Sequence, residues 1–441
     1  MTGIQTLAAR GLLGLAGALA TPLVARMARR DAGAGERWDR VFLAVFALSR
    51  LLLYGLVFGL LHLAPRGDIP AFYYPQALHV LAGQRPYRDF ISSYAPLHSY
   101  LDAAAVLLWH SPLAIILLAV LAEIAMMATW SAVTRGFIPG HSGRTARWLY
   151  LVSPLSVMFV TVDGQNNVLI GLLLALAVLL ALRERRALSG ISYALSACVV
   201  KFLSLIYLPV FVLTMRRWSA WLAGTLLTLA VVYGSFAAMH LPIQQPLTAE
   251  GDHRGAGCLP YVIEVLAGRQ LSGHLWDGLL VLALLLILGL ILIVSRSHEA
   301  QRIAMEKWRG VQLYLLLHGM TAMTIAVLLL SKKSWPTYVL MALFPLCVLV
   351  AQSRPLTIWL FGLFQCVAVV EHSFWASILS QPDSVQMRTL LSAGNHAAFV
   401  QMGLEILLLA GYVLFLGIAV RGIRRSALSR IPISPWDEPA G

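Results

Sequence analysis

Hydrophobic residues come in long runs along this chain, and the polar breaks between them alternate in character. Every second break is rich in arginine; the others carry tyrosine, aspartate and histidine. A helix needs roughly 20 apolar residues to cross a bilayer core, because 1.5 Å per residue must cover about 30 Å. By that measure spans are predicted near 41–64, 112–135, 146–161, 167–182, 219–240, 277–295, 310–331, 337–352, 355–371 and 399–420. Residues 189–215 read differently. Lys201 interrupts them, so two short helices meeting at that lysine are expected, lining a cavity rather than facing lipid. The predicted fold class is an all-α polytopic membrane protein with about twelve transmembrane helices.

The arginines orient these spans. Arg26, Arg29, Arg30, Arg37 and Arg40 precede the first one; Arg135, Arg144 and Arg147, then Arg183, Arg185 and Arg186, then Arg216 and Arg217, and last Arg421, Arg424, Arg425 and Arg430 mark every second break. Basic residues are retained on the cytoplasmic side of short loops. Both termini are therefore placed inside, and residues 65–111 form a large first extracytoplasmic loop. Residues 4–26 fit a span, a signal-like segment or an interfacial amphipathic helix, and the last is favoured, since another crossing would move the N-terminus outside. The chain then divides into a cytoplasmic or interfacial segment (1–40), a membrane module with the first outer loop (41–240), a second set of membrane helices and outer loops (241–420) and a cytoplasmic tail (421–441).

The first loop has helical spacing over 69–82, with Tyr73, Ala77, Val80 and Leu81 on one side and Gly83 placed to end the helix. A second helix is expected after Ser93, with Pro96 in its first turn. Both read as juxtamembrane helices on the outer surface. Asp68 stands just ahead of the first, where it either projects into a cavity below the loop or caps the helix.

Composition strengthens the membrane reading: 59% of the 441 residues are hydrophobic and 12% charged, with a mean hydropathy of +0.77. A soluble enzyme is excluded. The net charge of +13 would suit a nucleic-acid partner, but the arginines that carry it lie mostly in cytoplasmic loops, so it reports topology and no nucleic acid is expected. Cys198, Cys347 and Cys366 fall in spans and only Cys258 in an outer loop, which leaves no disulfide framework on that face.

Charge on the outer side is the informative exception. The chain has four lysines, and Lys201, Lys332 and Lys333 fall at outer helix ends, where topology disfavours them. A compact ammonium at the bilayer surface is a good partner for a phosphate; snorkelling to lipid headgroups is the bland alternative. Acids and histidines are biased to the same side. The polar machinery therefore faces away from the cytoplasm, where a lipid-carried donor is available and a soluble nucleotide-bound one is not. Asp102, in an apolar helix, and Arg50, inside the first span, each require a cavity or a partner.

Three stretches carry a resemblance. The first is Asp68 followed by tyrosines and "AGQRPYRDF…YAPL"; the second is "DGQNNVLIGLLLALAVLLALRERRALSGISYALSACVVKFLSLIYLP"; the third is "SKKSWPTYVLMALFP". Together, in this order, they resemble the GT-C superfamily of integral-membrane glycosyltransferases, and in particular the bacterial polyprenyl-phosphomannose-dependent mannosyltransferases. Many of those relatives carry a paired acid or a double proline where this chain has the single Asp68 and "YAPL".

The resemblance implies a polyprenyl-phosphate sugar donor, a lipid or glycan acceptor, and an inverting transfer on the extracytoplasmic face of the cell membrane. Asp68 would be the general base, and Lys201 with Lys332 or Lys333 would hold the donor phosphate. Tyr73, Asp89, Asp163, Gln165, Asn166, Asn167 and Tyr338 are candidates for substrate contact, although a polar turn accounts equally well for 163–167. Asp89 is assigned a supporting role beside Arg85 and Arg88. Tyr74, Tyr87, Tyr94 and Trp335 are suited to stacking on sugars or to an interfacial belt. The histidines show no metal-ligand spacing, and neither a metal nor another cofactor is expected. A flippase of lipid-linked sugars is the principal rival, and a non-catalytic envelope-assembly protein the second.

Overall fold

The computed structural model describes residues 3–30, 35–138, 140–250, 254–300 and 305–428. Among them all regular structure is helical; the extended pairing is a single isolated bridge between Pro86 and Phe90. The chain runs through α1 (Gly3–Arg30), α2 (Gly35–Tyr54) prolonged by a π-helical turn (Gly55–Leu60), a second π-helical turn (Ile69–Tyr73) leading into α3 (Tyr74–Leu81), α4 (His98–Leu108), α5 (Leu113–Phe137) and α6 (His141–Leu151). Next come α7 (Pro154–Ser156) with a third π-helical turn (Val157–Val162), α8 (Asn167–Leu182), α9 (Arg186–Val199), a 3₁₀ turn (Phe202–Tyr207), α10 (Leu208–Thr214), α11 (Ser219–Ala238), α12 (Gln245–Glu250) and α13 (Leu259–Ala267). The last part holds α14 (Gly273–Ala300), α15 (Met305–Leu330), a 3₁₀ turn (Pro336–Met341), α16 (Leu343–Ala351), α17 (Pro355–Ser377), α18 (Ser384–Ser392) and α19 (His396–Leu428).

The fold is an all-α polytopic membrane protein. Eight of the described helices are long and apolar enough to cross a membrane, or nine when the bent pair over 141–151 and 154–162 is taken as one. Helix length alone therefore does not reach twelve. Because α1 is among the nine, four of the predicted twelve fall short: α8, α9 and residues 202–214 are short, and 337–352 is broken into a 3₁₀ turn and α16. Irregular or short backbone is tolerated at membrane depth where other helices surround it, and nearly every residue of Pro336–Met341 and α16 is buried. As expected, two short helical segments meet at Lys201, whose own backbone is extended.

α1 departs from the expected surface position. Near its start Arg10 reaches Asp163 at 2.5 Å; near its end Arg29 donates to the carbonyls of Ala351 at 2.8 Å and Ser353 at 2.9 Å. It runs through the thickness of the protein along α17, where a Cβ on Gly362 would lie 2.7 Å from the Ala18 carbonyl oxygen. Such small residues let two backbones meet inside a bilayer. α1 is also long and apolar enough to cross a membrane, which favours the spanning alternative over the interfacial one, and it begins on the face that carries Asp163. An apolar neighbour supplied by α17 removes the need for an amphipathic surface, and that neighbour is more than 300 positions away in sequence.

In a background free of native cysteines, Gln5→Cys and Gln84→Cys are expected to react with an impermeant maleimide from the same side, and Arg183→Cys only from the other. Labelling of positions 5 and 84 from opposite sides would return α1 to the surface.

Candidate active site

The first loop folds as helix, irregular segment, helix. α3 stops at Leu81, two residues before Gly83, whose φ of +80° is the left-handed conformation that ends a helix. The second helix begins later than predicted, at His98, two residues after Pro96. Backbone pairing anchors the segment between them to the end of α9: Ala95 N–H donates to the Val200 carbonyl and Leu97 N–H to that of Cys198, both at 2.9 Å. Lys201 is thereby brought beneath the loop.

Asp68 opens the π-helical turn before α3, but its side chain makes no cap hydrogen bond. It accepts instead from Gln165 Nε2 at 3.0 Å, with the Tyr73 hydroxyl 3.5 Å from the same oxygen. The cap alternative therefore does not describe this carboxylate. Gln165 arrives from the turn between the Val157–Val162 segment and α8. Gly164 permits that approach: its φ is +63°, and a Cβ there would lie 2.9 Å from the Ile69 and Ile116 side chains.

Under the loop lies a buried polar layer. Asn166 Nδ2 is 3.1 Å from Asp102 Oδ1 and 3.2 Å from His98 Nε2, and His98 Nδ1 stands 3.5 Å from Asp102 Oδ2. This last contact resembles an ion pair, but burial holds the Asp102 carboxyl well above the usual carboxylate range and pushes His98 down to about 3, with Lys201 adding to the His98 effect. His98 is therefore neutral at pH 7. With Nε2 facing the Asn166 Nδ2 donor, the neutral ring carries its proton on Nδ1, and that N–H points toward Asp102 Oδ2 as acceptor. The His98 ring stacks on Tyr94 at 4.2 Å and meets Tyr73 edge-on at 4.8 Å.

Lys201 completes this wall. Its Nζ lies 3.3 Å from the Tyr338 hydroxyl, 5.4 Å from the Tyr94 ring centre and 5.2 Å from that of Tyr338. Lys333 is partly buried; burial first, and Lys201 second, lower its ammonium to about 7. Asn167 Nδ2 holds the same late segment through Thr337 Oγ1 at 3.4 Å. Asp68, Tyr73, Tyr94, Lys201 and Tyr338 are thus linked by successive contacts into one wall drawn from three distant parts of the chain, with Lys333 near enough to feel the Lys201 charge.

Other predicted residues lie outside that wall. Asp163 is occupied by Arg10, which also donates to Ser373 Oγ at 3.2 Å; burial raises the Asp163 carboxyl and Arg10 opposes this. Lys332 turns away from Lys201 and pairs with Asp277 at 3.0 Å. Asp89 is an exposed local partner of Arg88 at 2.9 Å and accepts from the Arg85 N–H at 2.7 Å; the Arg88 hydrogen bond lowers it to about 2. Arg10 and His98 were not singled out from sequence. The spacing of His98 and Asp102, four residues apart on one helix face, was the available signal for the second. Among the described residues no group of three or more His, Cys, Asp or Glu side chains is placed to hold a metal.

The model of glycosyltransferase family 87 matches residues 94–319. The chain belongs to glycosyltransferase family 87. This is a GT-C-type membrane family, so the protein is a membrane glycosyltransferase and acts between a sugar donor and an acceptor. No curated protein matches the chain. The stretch matched to family 87 contains Tyr94, His98, Asp102, the 163–167 turn and Lys201; Asp68, Lys333 and Tyr338 lie outside it and join them through the fold.

Proposed function

We propose that this protein moves a hexose, mannose on the motif resemblance, from a polyprenyl-phosphate carrier to a lipid or glycan acceptor. The transfer inverts the anomeric centre, with Asp68 as general base, on the extracytoplasmic face of the cell membrane. The observation that carries the reading is the Asp68 carboxylate, unused as a cap and oriented by Gln165, on one wall with Lys201 and a partly buried Lys333. An acceptor hydroxyl gives its proton to Asp68 while its oxygen bonds the anomeric carbon. The bond from that carbon to the phosphate oxygen breaks on the opposite side, and the electron pair leaves with the carrier phosphate. Lys201 and Lys333 offset the negative charge on that group. Tyr73 and Tyr94 are buried, with the Tyr94 ring stacked on His98, so they brace this wall from behind.

Purified protein incubated with a panel of polyprenyl-phosphate sugars and a membrane-lipid extract is expected to consume one donor and yield a hexosylated product by mass spectrometry. Consumption of none, by protein that retains its fold, would remove the donor assignment.

Lys333 makes donor binding depend on pH. The phosphodiester keeps a single negative charge throughout, so only the lysine titrates. Below pH 7 Lys333 is already protonated; above it, binding must take up a proton. The apparent Kd for polyprenyl-phosphate sugar is expected to rise by up to about tenfold per pH unit above 7. Calorimetry between pH 6 and 9 measures this, and Lys333→Gln should weaken binding and flatten the profile. A slope unchanged in Lys333→Gln would assign the dependence elsewhere.

A further inference from the structure

A separate cavity of about 140 Å³ opens beside the same late segment and is lined by Trp335, Trp375, Tyr261, Lys332, Arg254 and Gln381, among others. A short relay of contacts leads from it to Asp163, two residues before the Gln165 that orients Asp68. Asp163 binds Arg10, Arg10 binds Ser373, and the neighbouring His372 ring lies 6.0 Å from Trp335. The backbone between α15 and the 3₁₀ turn sends consecutive lysines to different places: Lys333 falls under the influence of Lys201, and Lys332 lines the cavity.

The lining suits a neutral polyhydroxylated ring. Trp335 is partly exposed, lines the cavity and leans on the buried Trp375, with ring centres 5.7 Å apart. Both cations at the rim are already matched by carboxylates: Lys332 by Asp277 at 3.0 Å, and Arg254 by Glu264. An anionic headgroup would have to compete with those carboxylates, whereas sugar hydroxyls can hydrogen-bond to paired groups without separating them. Gln381 is exposed, and its side chain can serve the same ligand. It sits in an uncommon backbone state, with Ser380 and Gln381 both left-handed at φ of +60° and +59°. Surrounding contacts hold that bend: Gln381 N–H donates to the Trp375 carbonyl at 3.0 Å, and the Trp375 indole and Tyr261 hydroxyl both donate to the Pro382 carbonyl, at 3.2 and 3.1 Å. Non-glycine residues held in this conformation cluster at ligand sites.

We propose that this cavity binds a hexose unit of a glycan acceptor, stacked on Trp335 and hydrogen-bonded by Lys332, Arg254 and Gln381. The inference rests on the transferase reading and narrows the acceptor to one that carries sugar.

The test uses the full chain in nanodiscs, with α-mannobiose, maltose, lactose and phosphocholine as soluble probes, read by saturation-transfer NMR. Binding of a short-chain polyprenyl phosphate is measured separately. At least one disaccharide is expected to receive saturation, and Gln381→Ala and Trp335→Leu should each weaken it by about tenfold. Polyprenyl phosphate affinity should be unchanged in Gln381→Ala, which also shows that this variant is folded. Absence of transfer to every disaccharide overturns the proposal, as does a signal that survives both substitutions or one displaced by phosphocholine alone. If wild-type protein fails to bind polyprenyl phosphate, the donor reading falls, while the disaccharide result still decides the cavity.

Discussion

Asp68→Asn is expected to lower turnover by about 10²–10⁴-fold, the contribution of a positioned general base. The substitution is nearly isosteric, and an asparagine carbonyl can still accept the hydrogen bond from Gln165 Nε2 that now orients the carboxylate at 3.0 Å. No helix cap is lost, because Asp68 makes none. Thermal stability and donor affinity should therefore stay near wild type while product formation collapses, measured by steady-state turnover and by donor titration of the same preparation. A flippase that used this wall without chemistry would keep its transport rate in Asp68→Asn. A fully active, normally expressed variant would sink the assignment of Asp68 as base. Lys201→Gln should behave differently, weakening donor binding more than turnover at saturation, since it removes a charge-assisted contact to the phosphate.

Glu123→Ala is expected to cost about 3–5 kcal/mol of stability, the usual result of removing one partner from a buried ion pair. Arg50 and Glu123 are both almost wholly buried, with Arg50 Nε 3.1 Å from Glu123 Oε2. The remaining valences are also filled. Arg50 donates to Ser156 Oγ at 2.8 Å and to the Leu151 carbonyl at 3.1 Å, while Tyr150 and Ser156 hydroxyls donate to Glu123 Oε1 at 2.9 and 2.5 Å. Truncation leaves a guanidinium stranded among apolar helices. The double variant Arg50→Met with Glu123→Leu should recover most of the loss, since apolar residues can fill the site without an uncompensated charge. Melting curves in detergent distinguish these outcomes; a Glu123→Ala midpoint equal to wild type would mean that water reaches the pair.

The active-site wall was partly legible and partly not. Asp68, Lys201 and the 163–167 turn stood out because a polar group in so apolar a chain demands an explanation. Their relation did not stand out: Gln165 against Asp68 spans 97 positions, and Lys201 against Tyr338 spans 137. Neighbouring identical residues also separated, as Lys332 went to Asp277 and Lys333 to the Lys201 side. Nothing in "SKK" says which lysine points where, because that depends on the turn of the backbone between α15 and Pro336.

What the sequence by itself determined is the all-helical membrane architecture, the broken helix at Lys201 and a polar first loop, since hydropathy and the cost of an unsatisfied backbone in lipid act locally. Only the tertiary structure decided that α1 packs along α17, that Arg10 at its start serves Asp163, and that burial beneath the loop keeps His98 neutral and holds the Asp102 carboxyl above its usual range. These outcomes depend on which side chains and helices happen to be neighbours. Burial, Coulomb interactions and helix packing act through space, between groups that the chain brings together only when it folds.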